Sequence, residues 1–425
     1  MTHLVFLNQY YPPDVAPTGV MLEGVVRQLV RDGHAVTVLC AAGGYGGQGG
    51  GMSADAVEEK RAAHGTAPRA AVIRIGATRF GRGTMVGKLL DYASFYGGVI
   101  WRLGMMNPRP TRVVALTTPP YLSVVARVMS KLRGADHAHW VMDLYPDVMV
   151  AHGMLRERSW LARWLAGLAR WGFGGRRCAA VLTLGPDMAE RVGRYLSTTK
   201  PPRAEWVPLW GGELARSEDP GARTVDDADA VAVLRKARGW GDDELVVMYS
   251  GNMGLGHRFG EILAAALELK DKPVRWVFFG DGRRRGEVAD FMRAHPECRL
   301  ELHPYAPAEM LTEHLRSADV HLASLDPAWT GTMVPSKLQG IFAAARPVVF
   351  IGSADSSIGR WVTESGGGWV VPPGDGPGLE AALAEASQPE LRASRGRAAR
   401  NFALRHFNES LNIPRVAAVL GEADS

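Results

Sequence analysis

Short apolar runs recur along the chain, separated by stretches whose apolar residues return at helical spacing. In the first half the runs cover residues 4–7, 35–40, 71–75, 113–116, 138–142, 180–184 and 206–209. In the second half they cover 245–249, 274–279, 300–303, 320–323, 348–351 and 369–371. Runs this continuous suit strands covered on both faces, as in parallel sheets flanked by helices. The alternation predicts an α/β chain made of two Rossmann-like lobes. Two segments read as loops: the glycine-rich 43–51 and the acidic 217–229. A linker near Trp210–Glu213 predicts lobes over 1–212 and 213–399. The tail 392–420 reads as helical with a break before Pro414, and from about residue 400 it is expected to pack back on the first lobe.

Composition narrows this picture only in part. A chain of 425 residues is long for one domain, and 46% hydrophobic with 22% charged residues is a globular balance. The formal charge of +5 fits an anionic ligand, an anionic membrane surface or nucleic acid. Nucleic acid is disfavoured, because the basic residues are not gathered into one run and no recognised module is present. Cys40, Cys178 and Cys298 are far apart without metal spacing, which fits a reducing compartment. No apolar run reaches the ~18 residues of a spanning helix. Met1-Thr2-His3 leads straight into a strand pattern without a signal-peptide layout, so the expected location is cytoplasmic, at most against a membrane.

Three turns carry candidate chemistry. The first follows the opening strand, from Asn8 to Gly19, and leads into a helix. Gly19 at that helix start permits close approach of an anion to free N–H groups, as does many an ordinary strand–helix connection. The second is Tyr249-Ser250-Gly251-Asn252-Met253-Gly254-Leu255-Gly256-His257-Arg258. Its three glycines allow a backbone nest for phosphate, and Arg258 adds a cation suited to a diphosphate. The third is Pro335-Ser336-Lys337, where Ser336 would cap a helix and Lys337 would offer an ammonium at its start.

Together these segments resemble glycosyltransferase family 4, the retaining group with the GT-B fold, and within it the colanic-acid and exopolysaccharide branch. Tyr10-Tyr11-Pro12-Pro13, Thr18-Gly19, Thr118-Pro119-Pro120 and Asp143-Leu144-Tyr145-Pro146-Asp147 carry the likeness in the first lobe. Tyr249-Ser250-Gly251-Asn252, Gly280-Asp281-Gly282, Ser317-Ala318-Asp319-Val320 and Pro335-Ser336-Lys337 carry it in the second. The resemblance implies an interlobe cleft, with a nucleotide-sugar donor (UDP- or GDP-linked) on the second lobe and a glycan or lipid-linked acceptor on the first. It implies no metal and no cofactor beyond the co-substrate. Arg258 stands where the family has a lysine, Asn252 where it has an arginine, and Lys337 would supply the second diphosphate cation. Gly19, Gly254 and Ser336 would meet the donor phosphates, and Tyr305 and Ala306 its base. Thr332 and Gly340 occupy the places of two family glutamates, so Thr332 alone is left to bond a sugar hydroxyl. Asp143 falls at the place of the active-site histidine, with Asp147 four residues on, and His137 and His139 pointing elsewhere. A helix-capping aspartate is the competing reading of Asp143. Arg258 and Lys337 would stabilise the departing diphosphate while Asp143 engages a sugar or acceptor hydroxyl.

A last pattern concerns surfaces. Trp160, Trp164, Leu168 and Trp171 share one helical stripe beside Arg156, Arg163 and Arg170, with Arg177 beyond. Aromatics beside arginines suit an anionic bilayer interface, and equally a helix packed on its own lobe. The segment 88–102, with Tyr92, Phe95, Tyr96 and Trp101, is placed on the same side. The resemblance also leaves open a soluble small-molecule acceptor, or a non-catalytic subunit that binds a nucleotide sugar.

Overall fold

The computed structural model describes residues 2–14, 16–43, 57–59, 70–78, 80, 85–211 and 225–422. The chain divides into two compact units, Met1–Val207 with Ile413–Ser425, and Pro208–Asn412.

The first unit runs β1 (His3–Leu7), α1 (Pro17–Arg31), β2 (Ala35–Ala41), β3 (Val57–Glu59), β4 (Ala70–Ile75), α2 (Met85–Met105), β5 (Arg112–Ala115), α3 (Leu122–Arg133) and β6 (Asp136–Trp140). It continues through α4 (Asp147–Ala151), α5 (Trp160–Gly172), β7 (Cys178–Thr183), α6 (Pro186–Gly193) and β8 (Arg203–Trp206). The strands form one sheet in the order β3-β4-β2-β1-β5-β6-β7-β8, parallel except for the β3–β4 pair. Val5, Leu7, Leu39, Val113 and Ala115 face a core completed by Phe95, Val99 and Leu103 of α2 and Leu122, Ala126 and Met129 of α3.

The second unit runs α7 (Val225–Ala237), β9 (Leu245–Ser250), α8 (Gly260–Glu268), β10 (Val274–Phe279), α9 (Arg285–Ala294), β11 (Leu300–His303), α10 (Leu311–Arg316) and β12 (Val320–Ser324). Next come α11 (Lys337–Ala343), β13 (Val348–Ile351), α12 (Ser357–Ser365), β14 (Gly368–Val371), α13 (Gly376–Ala386) and α14 (Pro389–His406). Finally, α15 (Glu409–Gly421) begins here and ends among first-unit residues. Its sheet is wholly parallel, ordered β11-β10-β9-β12-β13-β14. Tyr249, Phe259, Trp276 and Phe278 pack together at its centre, each fully or almost fully buried. Burial of each such aromatic contributes on the order of 2–3 kcal/mol. In both sheets the strand order reverses beside the first strand of the unit, at β1–β5 and at β9–β12. A switch point of this kind opens a crevice at the strands' carboxyl ends.

Several boundaries differ from the sequence expectation. The run 206–209 is not a strand; β8 ends at Trp206, and Val207, Leu209 and Trp210 are buried beyond it. The polar β8 is an edge strand paired only with β7, so apolarity does not mark it. The units part at 207/208 rather than 212/213, because Pro208–Gly211 is bonded to second-unit residues: Gly211 N donates to Phe407 O at 3.1 Å and Asn412 Nδ2 to Pro208 O at 3.1 Å. Likewise α14 packs on α11, α12 and α13, so the return to the first unit comes at Ile413, not near residue 400. There Arg112 Nη1 donates to Leu420 O at 2.9 Å. The helical tail breaks at Phe407–Asn408, where Asn408 Oδ1 accepts from Ser410 N at 2.9 Å, and Pro414 lies inside α15. Of the acidic 217–229 segment, residues from 225 onward are helix; acidity suits a helix start as well as a loop. Residues 44–51 of the glycine-rich loop and 217–224 lie outside the described residues.

Candidate functional site

In the second unit, the loops after β9, β10 and β11 interlock. Gly251, Gly280 and Gly282 hold φ of 128°, 133° and 143°, which only glycine adopts without strain. A Cβ on Gly280 would strike Gly251 O, and one on Gly282 would lie 2.6 Å from Met253 O. Met253 N donates to Asp281 O at 2.7 Å, and the exposed Tyr305 reaches Asp281 O at 3.4 Å. Against this wall lies Lys337, the first residue of α11. Its Nζ sits 3.5 Å above the Tyr249 ring and donates to Asn252 O at 3.3 Å. A Cβ on Gly251 would be 2.9 Å from Lys337 Cε, so this glycine makes room for the lysine stem. No carboxylate among the described residues pairs with the ammonium. Desolvation holds its pKa well below the usual lysine value, even though the side chain keeps a partial opening to solvent. Nearby His257 is held neutral, at about 3, first by burial and then by the Lys337 charge.

Arg258 is placed differently. Its Nε donates to Glu261 Oε1 at 2.9 Å and its Nη1 to Asp326 Oδ2 at 3.1 Å. Two carboxylates therefore already answer its charge, and the Glu261 bond raises its pKa first among the causes. Glu261 also accepts from Gly374 N at 2.9 Å.

The remaining second-unit candidates sort themselves by burial. Asn252 is exposed beside Gly254, and Ser336 stands exposed at the start of α11 without making a side-chain cap bond. The three-glycine nest narrows to Gly251, since neither Gly254 nor Gly256 has positive φ; Gly256 instead lets Trp329 pack 2.9 Å from its Cβ position. Ala306 is partly buried against the Trp240 cluster. Thr332 does not present a hydroxyl to a ligand: it is fully buried and donates to Trp329 O at 2.8 Å. Gly340 lies mid-helix facing Leu315.

In the first unit, Asp143 lies just past β6 in a recess lined by Thr117, Tyr121, His139, Tyr145 and Phe173. Thr117 Oγ1 fixes the backbone, accepting from Met142 N at 3.2 Å and Asp143 N at 3.1 Å. The carboxyl group itself receives no hydrogen bond from the described residues, and burial alone pushes its pKa up to about 6. It caps no helix, because α4 is capped at Pro146. Asp147 is not part of this site; Arg191 Nε at 2.6 Å and the Tyr195 hydroxyl bind it. Gly19 is also engaged internally. Its N donates to Ala16 O at 2.9 Å, and its Cβ position is 3.0 Å from Tyr10 O, so it is needed for loop packing rather than left as an open anion seat. Tyr121, with φ of 64°, was not foreseen: a tyrosine in the left-handed region leaves no composition or period signal.

The tryptophan stripe is exposed on α5, at 73% for Trp160, 59% for Trp164 and 43% for Trp171. Arg127 stacks 4.3 Å over Trp171. On α2, Leu89, Leu90, Ile100 and Trp101 are exposed as well, and α3 packs against both helices. Among the described residues, no helix is long and apolar enough to cross a membrane.

No family model matches the chain. The putative colanic acid biosynthesis glycosyl transferase WcaI of Escherichia coli is 24% identical over 360 residues, 82% of this chain and 83% of that protein. The probable glycosyltransferase WbjE of Pseudomonas aeruginosa is 24% identical over 306 residues, 72% and 73% of the two chains. Among solved structures, WaaG, a glycosyltransferase of lipopolysaccharide biosynthesis, superposes with TM-score 0.67 at 17% identity over 99% of this chain and all of its own. Anabaena HepE, in complex with UDP and glucose, gives 0.67 at 14% identity over the whole of both chains. The fold is GT-B. The curated relatives, alike over most of their length, support a glycosyltransferase.

Proposed function

We propose that the chain is a retaining, metal-independent glycosyltransferase of the family 4 kind. It moves a hexosyl or N-acetylhexosaminyl unit from a UDP- or GDP-linked donor to a glycan or lipid-linked acceptor. The carrying observation is the Lys337 ammonium: desolvated, seated on Tyr249 and without a carboxylate partner among the described residues. A cation in that state gains most from an incoming anion. In this reading Lys337 binds the donor diphosphate and stabilises the charge that grows on it as the sugar leaves, a contribution of ~3 kcal/mol for a well-placed group. Arg258 assists from the rim of the site, its share reduced by Glu261 and Asp326. Asn252, Gly254 and Ser336 border the phosphates, and Tyr305 and Ala306 the base. Asp143, as a carboxylate, accepts a hydrogen bond from a sugar or acceptor hydroxyl. The nucleotide sugar is a co-substrate, and no separate cofactor enters. The UDP and glucose bound by HepE, a protein of the same fold, support the donor class.

The acceptor side of this reading is a membrane. Exposed Trp160, Trp164 and Trp101, on two helices that each pack on α3, beside Arg163 and Arg170, suit an anionic bilayer on the cytoplasmic side. One observation favours a second reading, a non-catalytic donor-binding subunit: Thr332 is turned inward and Gly340 offers no side chain. A thermal-shift screen against UDP-, GDP-, ADP- and TDP-sugars, followed by a transfer and hydrolysis assay, tests both. Stabilisation with turnover supports the enzyme. Stabilisation without turnover supports the subunit, and no stabilisation at saturating ligand defeats the donor site.

A further inference from the structure

Three soft donor groups meet beneath the recess of the first unit. His137 and His139 are two apart on β6, so their rings fall on one face of the sheet. Cys178, the first residue of β7, is the register partner of His137. His137 Nδ1 lies 2.9 Å from His139 Nε2, and donor atoms of all three residues lie within 4.8 Å of one another. All three are buried, and Cys178 is in no disulfide. The spacing of the cysteines along the chain gave no hint of this; the strand pairing creates it.

We infer that His137, His139 and Cys178 form a binding site for a soft d10 metal ion, Cu(I) or Zn(II). Two imidazoles and a thiolate are the donors such ions select, whereas magnesium and calcium favour oxygen. His139 Nδ1 is buried without a well-formed hydrogen bond, although the Gly172 carbonyl favours a proton on that ring. Metal ligation at the other ring nitrogen would settle that proton on the Gly172 side, as in most histidine–metal sites.

Charge ranks the two ions. Arg127 is close enough to interact electrostatically with Cys178 and both histidines. A thiolate with Cu(I) is neutral overall. A thiolate with Zn(II) keeps one positive charge beside Arg127 in a poorly solvated place, which ranks Cu(I) first. Three donors also satisfy a trigonal ion, whereas Zn(II) needs a fourth ligand. His139 also lines the recess of Asp143. Loading would tie β6 to β7 four residues before Asp143. This inference does not depend on the transferase reading.

The test uses the full, untagged, reduced chain after chelation. Cu(I) is titrated anaerobically against a chromophoric Cu(I) chelator, and Zn(II) separately against a zinc chelator. One equivalent should bind with higher affinity for Cu(I), and loading should raise the melting temperature. Cys178→Ser should weaken binding at least ~100-fold, more than loss of a supporting contact does. Cys40→Ser and Cys298→Ser should leave it unchanged. If Cys178→Ser does not fold, thiol alkylation of the wild-type chain read by mass spectrometry gives the same answer: metal should protect Cys178 selectively. Absence of stoichiometric binding of either ion, or binding that neither depends on Cys178 nor protects it, would overturn the site.

Discussion

At the carboxyl end of β6 the first unit half-buries an acid, and beyond the carboxyl end of β9 the second unit half-buries a base. Asp143 and Lys337 share one physical condition: each is desolvated, and neither has an oppositely charged partner among the described residues. Burial therefore pushes each toward neutrality, the carboxyl pKa up to about 6 and the ammonium pKa down. Ordinary folding would pair such charges, as it does Arg258 with Glu261 and Asp326, or Asp147 with Arg191. What the contrast teaches is where each ligand charge belongs. An anion relieves Lys337, while a hydroxyl donor relieves Asp143. Two sheets of the same design thus present opposite chemistry.

The contrast is broken most severely by Lys337→Met. Losing a charge-assisted contact to a diphosphate costs ~3 kcal/mol, or about 100-fold in affinity, measured by titration calorimetry with UDP and GDP. The same change should stabilise the ligand-free protein, because it removes a desolvated ammonium.

Asp143→Asn comes next, lowering kcat by about 100-fold with donor affinity unchanged. Wild-type kcat should fall as pH drops through about 6, and the variant should lose that limb. The stability effect has the opposite sense. A carboxyl raised from 3.8 to about 6 stabilises the fold fully below pH 3.8 and loses that contribution as pH rises through 6. At pH 7.5 the asparagine variant should therefore melt a few degrees higher, and at pH 3.5 the gain should vanish.

Arg258→Ala sharpens the comparison from the other side. Because its charge is already answered, donor affinity should fall by less than about 10-fold. Stability should drop by ~1 kcal/mol as Glu261 loses its partner. The smallest effect on the fold belongs to Trp160→Ala with Trp164→Ala. These side chains are largely exposed, so melting should change by ~0.5 kcal/mol or less. Co-sedimentation with anionic vesicles should nonetheless fall severalfold, and unchanged sedimentation would contradict the membrane face.

The strands were largely legible because buried parallel strands are written as unbroken apolar runs. β8 escaped because an edge strand needs no such run, and α7 was misread because acidic residues serve loops and helix starts alike. The site was legible by position along the sheet, not by state. Gly251 and Lys337 lie at the loop that glycine spacing indicated. Glu261, at i+3, was a local partner in plain sight, yet nothing local revealed that Asp326, 68 positions away in sequence, would also occupy Arg258. The resemblance places Thr332 against a sugar hydroxyl, and its turn toward Trp329 O is a local hydrogen bond no pattern records. The His137–His139–Cys178 cluster depends on strand register, which is a tertiary property.

The most direct test of the central claim is a paired titration of UDP and GDP into Lys337→Met and Arg258→Ala beside the wild-type chain. At least one nucleotide should bind the wild type, lose about 100-fold in Lys337→Met and lose less than about 10-fold in Arg258→Ala. Equal losses in the two variants, or a larger loss in Arg258→Ala, would contradict Lys337 as the cation that holds the diphosphate.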